Sequence, residues 1–296
     1  LVSTSVAPQT RLAYERVWQT VATFLARYNI DQNLPLSVST VALFVSFLFA
    51  QSKAPKTISS SLSAISFLHK VHGYLDPTKD FLVQKLVAGA YRLRPHVDMR
   101  LPITQPILHV LVNALESLLS GYTKIMFQAM FLFAFFTYAR VGELTVTNSR
   151  ATSVLLLKDV TFLTNKQTIR EVKVTFRCFK HNLTGKPHYI SFKPVQGPYC
   201  PVAKFTEYIH RRGNEPGPLF YDTLGAPILR RNFDTQLRSA LQFCGLSDKC
   251  YKGHSFRIGK ASLDALNNVP DSIIRLRGRW KSDAFRKYIR DRKSVV

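Results

Sequence analysis

Apolar side chains recur at three- and four-residue spacing through the first third of the chain. Over 9–28 they are Leu12, Val17, Val21, Phe24 and Leu25, with Arg11, Arg16 and Arg27 among the polar positions, which predicts an amphipathic helix. A second helix is predicted over 37–50, after Pro35. A third runs over 56–72, opened by Pro55, filled by Leu62, Ile65, Phe67 and Leu68 and stopped by Gly73. A fourth covers 79–94, with Phe81, Leu82, Leu86 and Val87 turned inward. No strand pattern interrupts them, so residues 1–97 read as a small helical domain.

The period then breaks. Residues 92–102 hold two prolines and the arginines Arg92, Arg94 and Arg100, which reads as a basic tether, with 98–103 as the interdomain linker. Helices are expected over 104–119 and 122–139. The run 154–162 is rich in β-formers. Residues 171–179 alternate, Val172, Val174, Phe176 and Cys178 against Lys173, Thr175 and Arg177. With 189–192 and turns at 164–166 and 181–187, these predict a three-stranded antiparallel sheet. From Val202 onward the pattern is helical again. The expected class is mostly α with a small antiparallel β-sheet (α+β), and 104–296 forms the second domain.

Composition adds a partner class. Of 296 residues, 46% are apolar and 12% aromatic, and mean hydropathy is −0.02, which excludes a disordered chain. The formal net charge is +23, an excess that opposes compaction and fits a polyanionic partner, nucleic acid before a membrane surface. The longest apolar runs, 36–50 and 125–139, are shorter than the roughly 20 residues of a spanning helix. Four cysteines without a C-x-x-C pair fit a reducing, intracellular compartment. A first residue of Leu rather than Met reads as a piece of a longer polypeptide.

Three segments carry candidate chemistry. Arg140-Val-Gly-Glu143 closes the apolar run 127–139, and alone a helix-end salt bridge explains it. His254 and Arg257, three apart, share one helix face. Trp280 precedes Ser282 and Asp283, a cap and first-turn acid for a short helix that carries Tyr288. Arg275, Arg277, Arg279, Lys281, Arg286 and Lys287 crowd around that last segment.

Taken in order, R-x-x-E, a hairpin lysine, H-x-x-R, a Trp and a Tyr near the C-terminus, the set resembles the tyrosine recombinase (phage integrase) family. It is similar to the Cre-type variant, where Trp replaces a second His. The strings Lys-Gly-His-Ser-Phe-Arg-Ile-Gly (252–259) and Gly-Arg-Trp-Lys-Ser-Asp-Ala (278–284) are similar in wording to recombinases of eukaryotic mobile elements of the DIRS/Ngaro or Crypton kind. The resemblance implies a helical core-binding domain over 1–97 and a catalytic domain over 104–296, closing as a C-shaped clamp on double-stranded DNA. It implies Tyr288 as nucleophile and Arg140 and Arg257 as a phosphate clamp. Trp280 becomes a donor that does not titrate, and His254 a proton shuttle or phosphate ligand. Glu143 orients His254 or Arg140. Lys180, with Lys186 as competitor, protonates the leaving 5′-oxygen. No metal or other cofactor is implied. Arg92, Arg94, Arg100, Arg279, Lys281 and Lys287 are the expected DNA contacts. The implied assembly is a homo-tetramer on two DNA sites, a dimer per site, in the nucleus, integrating a mobile element. Only 289–296 follow Tyr288, short for the tail with which family members dock a neighbouring protomer. The alternative is a catalytically silent, domesticated DNA-binding protein of the same fold.

Overall fold

The computed structural model describes residues 5–289 except 96–97, 148–153, 167, 180–181 and 183–184, and leaves the Ala284 side chain undescribed. The chain forms two compact units, Leu1–Asp98 and Met99–Val296.

The first unit is four helices, α1 (Pro8–Arg27), α2 (Val38–Ala50), α3 (Pro55–Val71) and α4 (Phe81–Leu93). Ser37 caps α2 by accepting the Thr40 N–H at 3.1 Å, and Asp80 caps α4 by accepting that of Leu82 at 2.8 Å. Val21, Phe24, Leu25, Val41, Phe44, Val45, Leu48, Ile58, Ile65 and Val83 form the core. Buried His69 ties α3 to the segment before α2, because its Nε2 accepts the Leu36 N–H at 2.9 Å. One inward face differs from the periodic reading. Phe81 and Leu82 are exposed, and Val83 and Ala90 are buried instead. The Asp80 cap starts α4 at Phe81, and this sets its first turn outward.

The second unit is built on α6 (Gly121–Phe136), apolar on every side and buried from Ile125 to Phe135. Around it pack α5 (Gln105–Leu118), α8 (Pro201–Arg212), α9 (Arg230–Phe243) and α10 (Ser255–Leu266). Short helices α7 (Val141–Leu144) and α11 (Asp271–Arg277) and the 3-10 turn Asp283–Tyr288 complete the helical part. The sheet has the order β1 (Val160–Asn165), β2 (Thr168–Phe176), β3 (His188–Phe192), all antiparallel, with Val174 opposite both Val160 and Ile190. Val172, Val174 and Phe176 face the core, as their alternation requires.

The apolar run 154–162 is only partly strand. Leu155 enters the core, donating its N–H to the Glu143 carbonyl at 2.9 Å. Asp159 then accepts the Leu156 N–H at 3.0 Å in a 3-10 turn Leu157–Asp159, so β1 begins at Val160. Cys178 lies beyond the end of β2.

Residues at the junction belong to the second unit. Leu101 N–H donates to the Cys250 carbonyl at 2.9 Å and Ile103 N–H to that of Ser255 at 3.0 Å. The strap lies on α10 because Gly259 has no side chain: a Cβ there would meet the Ile103 carbonyl oxygen at 1.7 Å. Gly259→Ala therefore must push the strap off α10. Urea denaturation of the second unit is expected to show a loss of about 3 kcal/mol, near the top of the range for overpacking; an unchanged midpoint contradicts this packing.

Candidate active site

Arg140 stands where α6 has ended and α7 begins. The three-residue spacing to Glu143 makes a reciprocal cap: Glu143 N–H donates to the Arg140 carbonyl at 2.7 Å, and its Oε2 accepts the Arg140 N–H at 2.8 Å. Glu143 Oε1 also accepts from Arg140 Nη1 at 3.0 Å. The salt bridge that explains the motif alone is present, and it fixes the direction of the guanidinium, whose side chain keeps 23% of its surface exposed.

His254 and Arg257 open α10. Arg257 is fully buried. Its Nη1 donates to the Tyr138 carbonyl at 2.8 Å and its Nη2 to the Gly278 carbonyl at 2.6 Å. Its Nε has no partner among the described residues. The Trp280 ring lies 4.6 Å from the guanidinium carbon. Burial above all, then the charges of Arg140 and Arg279, work against the positive charge of Arg257, and Glu143 supports it. A cation held this way gains from an incoming anion.

Tyr288 completes the cluster. Its ring centroid is 4.8 Å from His254 and 5.3 Å from Trp280. The helix expected after Ser282 is the 3-10 turn Asp283–Tyr288. Buried Phe285 anchors it in a small core with Tyr138, Ala261 and Ile274. Ser262 Oγ donates to the Tyr288 carbonyl at 3.2 Å, and Arg286 pairs with Asp271 at 3.3 Å. Tyr138, the other phenol here, is poorly placed for chemistry. It is buried, donates to Asp264 Oδ2 at 2.6 Å, and burial and then the Asp264 charge push its pKa up.

Arg140 with Glu143, and His254 with Arg257, Trp280 and Tyr288, thus form two groups that become one connected set through Arg279 and the Tyr138 carbonyl. This corrects the reading of Arg279 as a DNA contact: its side chain is 1% exposed and its Nη2 donates to Glu143 Oε2 at 2.6 Å. Glu143 binds these two arginines. Lys180 lies outside the described residues. Lys186 is exposed in the segment before β3. Arg94 is engaged inside the first unit, with Nη1 on the Phe49 carbonyl at 2.9 Å and its guanidinium 3.9 Å from the Phe49 ring. Arg92, Lys281 and Lys287 are exposed, and Arg100 is half-buried. Sequence reasoning missed Asp264, a buried carboxylate that accepts from Tyr138, from Lys260 at 2.6 Å and from Arg277 at 3.3 Å; the only sequence signal was Lys260 four residues before it.

No family model and no curated protein matches the sequence. Solved structures do. The XerH site-specific recombinase bound to difH substrate aligns with a TM-score of 0.67 at 14% identity, over 94% of this chain and 76% of that one. The Tn1549 transposon integrase in complex with transposon right end DNA aligns at 0.64 and 14%, over 98% and 91%. A lambda integrase dimer bound to a COC′ core site aligns at 0.62 and 15%, over 97% and 90%. The chain has the tyrosine recombinase fold, mostly helical with a three-stranded antiparallel sheet.

The indole position depends on Gly278, where a Cβ would meet Trp280 Cζ3 at 1.6 Å. Gly278→Ala, made in a Trp18→Phe background so that one tryptophan remains, is expected to expel the indole from Arg257 and shift its emission to the red. Emission identical to the Trp18→Phe parent contradicts this packing.

Proposed function

We propose that this protein is a site-specific DNA recombinase or integrase that cuts and rejoins strands through a 3′-phosphotyrosine intermediate. The observation that carries the reading is the placement of Tyr288 against His254 and Trp280, with Trp280 lying on the buried guanidinium of Arg257. The fold supports it, because its solved neighbours include recombinases and integrases bound to DNA.

The chemistry follows from these groups. The Tyr288 oxygen attacks the phosphorus of a DNA phosphodiester, and the phenol proton passes to His254. The new bond is Tyr288 O–P; the bond that breaks is P–O5′, and the 5′-oxygen takes a proton from the hairpin lysine, for which Lys180 is our candidate. Arg140 and Arg257 take the non-bridging oxygens, because planar guanidinium groups match phosphate and stay charged. They supply the neutralisation that a divalent ion gives in many phosphoryl transfers, so the reaction proceeds without metal. The Trp280 N–H donates to a phosphate oxygen. Religation reverses these steps with a different 5′-hydroxyl. Strand exchange then needs a dimer on each site and a tetramer on two, and the intended substrate is a mobile element joining nuclear DNA.

Arg257 must lose some of its cover to meet a phosphate. In this reading DNA moves the Trp280–Tyr288 segment, which is held by buried Phe285, the Ser262–Tyr288 hydrogen bond, the ring contacts of Trp280 and Tyr288, and surface ion pairs worth at most about 1 kcal/mol each.

A pool of randomised duplexes carrying a nick beyond each cleavage position, incubated with EDTA and stopped with SDS, is expected to give a covalent protein–DNA band. Tyr288→Phe is expected to abolish it and Arg257→Ala to reduce it at least about 100-fold. A band with Tyr288→Phe overturns the assignment, and DNA binding without any band from the unaltered protein favours the silent DNA-binding alternative. In binding titrations, replacing Arg92, Lys281 or Lys287 by Ala should each reduce the slope of log affinity against log salt by about 1. Unchanged slopes remove those side chains from the DNA surface.

A further inference from the structure

Arg279 is an unusual residue to find where it is. It sits in the left-handed backbone region, φ 56°, between Gly278 and Trp280, and its side chain is as buried as an aliphatic core residue. Its guanidinium carbon lies 3.8 Å from the centroid of the Phe176 ring at the end of β2. Nη2 donates to Glu143 Oε2 at 2.6 Å and to the Tyr138 carbonyl at 3.3 Å. The same carbonyl receives Arg257 Nη1, and the same carboxylate holds Arg140 Nη1 through its other oxygen. Arg279 is therefore bonded to the partner of each phosphate-clamping arginine, and it touches the strand that leads into the segment of Lys180.

We infer that Arg279 is a positioning residue whose buried charge, acting through Glu143, leaves Arg140 available to a phosphate. This rests on the recombinase reading and deepens it. Without Arg279, the Glu143 carboxylate has Arg140 as its one ion-pair partner among the described residues, and the pair is neutral. With Arg279 present, the carboxylate is neutralised from behind, and Arg140 presents a full positive charge to the phosphate, which gains negative charge as the phenol attacks. Burial drives the Arg279 pKa down to about 10, and Glu143 opposes that fall; the guanidinium stays charged at neutral pH. Its Nε and Nη1 have no hydrogen-bond partner among the described residues, so what holds the side chain is Glu143, the Tyr138 carbonyl and the Phe176 ring.

The test is a charge-swap series in the full chain on the nicked-duplex pool. Arg279→Gln is expected to slow adduct formation about 30-fold or more, with non-covalent affinity and its salt slope unchanged. Adding Glu143→Gln removes the charge that Arg279 answers, and the double variant is expected to recover to within about tenfold of the unaltered protein. Arg279→Lys, which keeps the charge, is expected to fall between. A packing role alone predicts the reverse order, with the double variant slower than the single. If Arg279→Gln fails to fold because buried Glu143 loses one of its two cation partners, the double variant carries no such half-paired carboxylate and decides alone: activity supports the inference, inactivity in a folded protein overturns it. Equal rates for Arg279→Gln and the unaltered protein overturn the inference and leave the recombinase reading intact. Absence of an adduct from the unaltered protein overturns both.

Discussion

The constraint on which this structure turns is the burial of a charge. Arg257 has no exposed surface, and a guanidinium removed from water costs several kcal/mol unless other groups replace its hydration. Two main-chain carbonyls and an indole face replace it here. Each of these is placed by something else. The Tyr138 carbonyl is presented by the left-handed turn at φ 53° that ends α6. That of Gly278 is available because α11 stops there, and the indole fits because Gly278 has no side chain. Tyr138, Gly278 and Trp280 are thereby bound to one side chain. The same arrangement stacks positive charge, since Arg140 and Arg279 add to the burial that opposes the Arg257 cation. Two of the three guanidinium groups, Arg140 and Arg279, share the Glu143 carboxylate, and Arg257 has, among the described residues, only main-chain carbonyls and the indole, which is the excess of positive charge that the proposed phosphate would answer.

Rigidity is unevenly distributed around that centre. Arg140 and Arg257 are mounted on elements packed against α6, among phenylalanines with no exposed surface. Tyr288 is mounted on a 3-10 turn secured by Phe285, by the Ser262 hydrogen bond to its carbonyl, by ring contacts with His254 and Trp280 and by surface ion pairs. Elements with few buried contacts open at low free energy. In the proposed reaction, this would set an arginine-lined anion site on rigid elements beside a nucleophile on a less deeply packed turn, a division of labour that in-line attack on an arriving phosphodiester can use.

Much of this was legible from residue order. Long periodic helices such as α1 and α3, and the alternation in β2, follow from the side chains alone, because one-face burial dictates both. The segment 154–159 was misread as strand because its apolar residues enter the core from a turn closed by Asp159, a side-chain effect that periodicity does not register. The first turn of α4 was misassigned for a related reason, the cap at Asp80. Within the site, Arg140, Glu143, His254, Arg257, Trp280 and Tyr288 were recoverable because a resemblance supplied the grouping that spacing lacks. Arg279 was not. It lies in a run of basic residues, and charge alone marks such a residue as surface. Only its contact with Glu143, 136 residues away, reveals that it faces inward.

The central claim is that the Tyr288 phenol faces a phosphate gathered by Arg140 and Arg257. Peptide mass spectrometry of an SDS-trapped protein–DNA adduct, after nuclease and trypsin digestion, tests it most directly. The account requires the nucleotide phosphate on the tryptic peptide Tyr-Ile-Arg (288–290). A nucleotide on any other tyrosine, or on a serine, would contradict it.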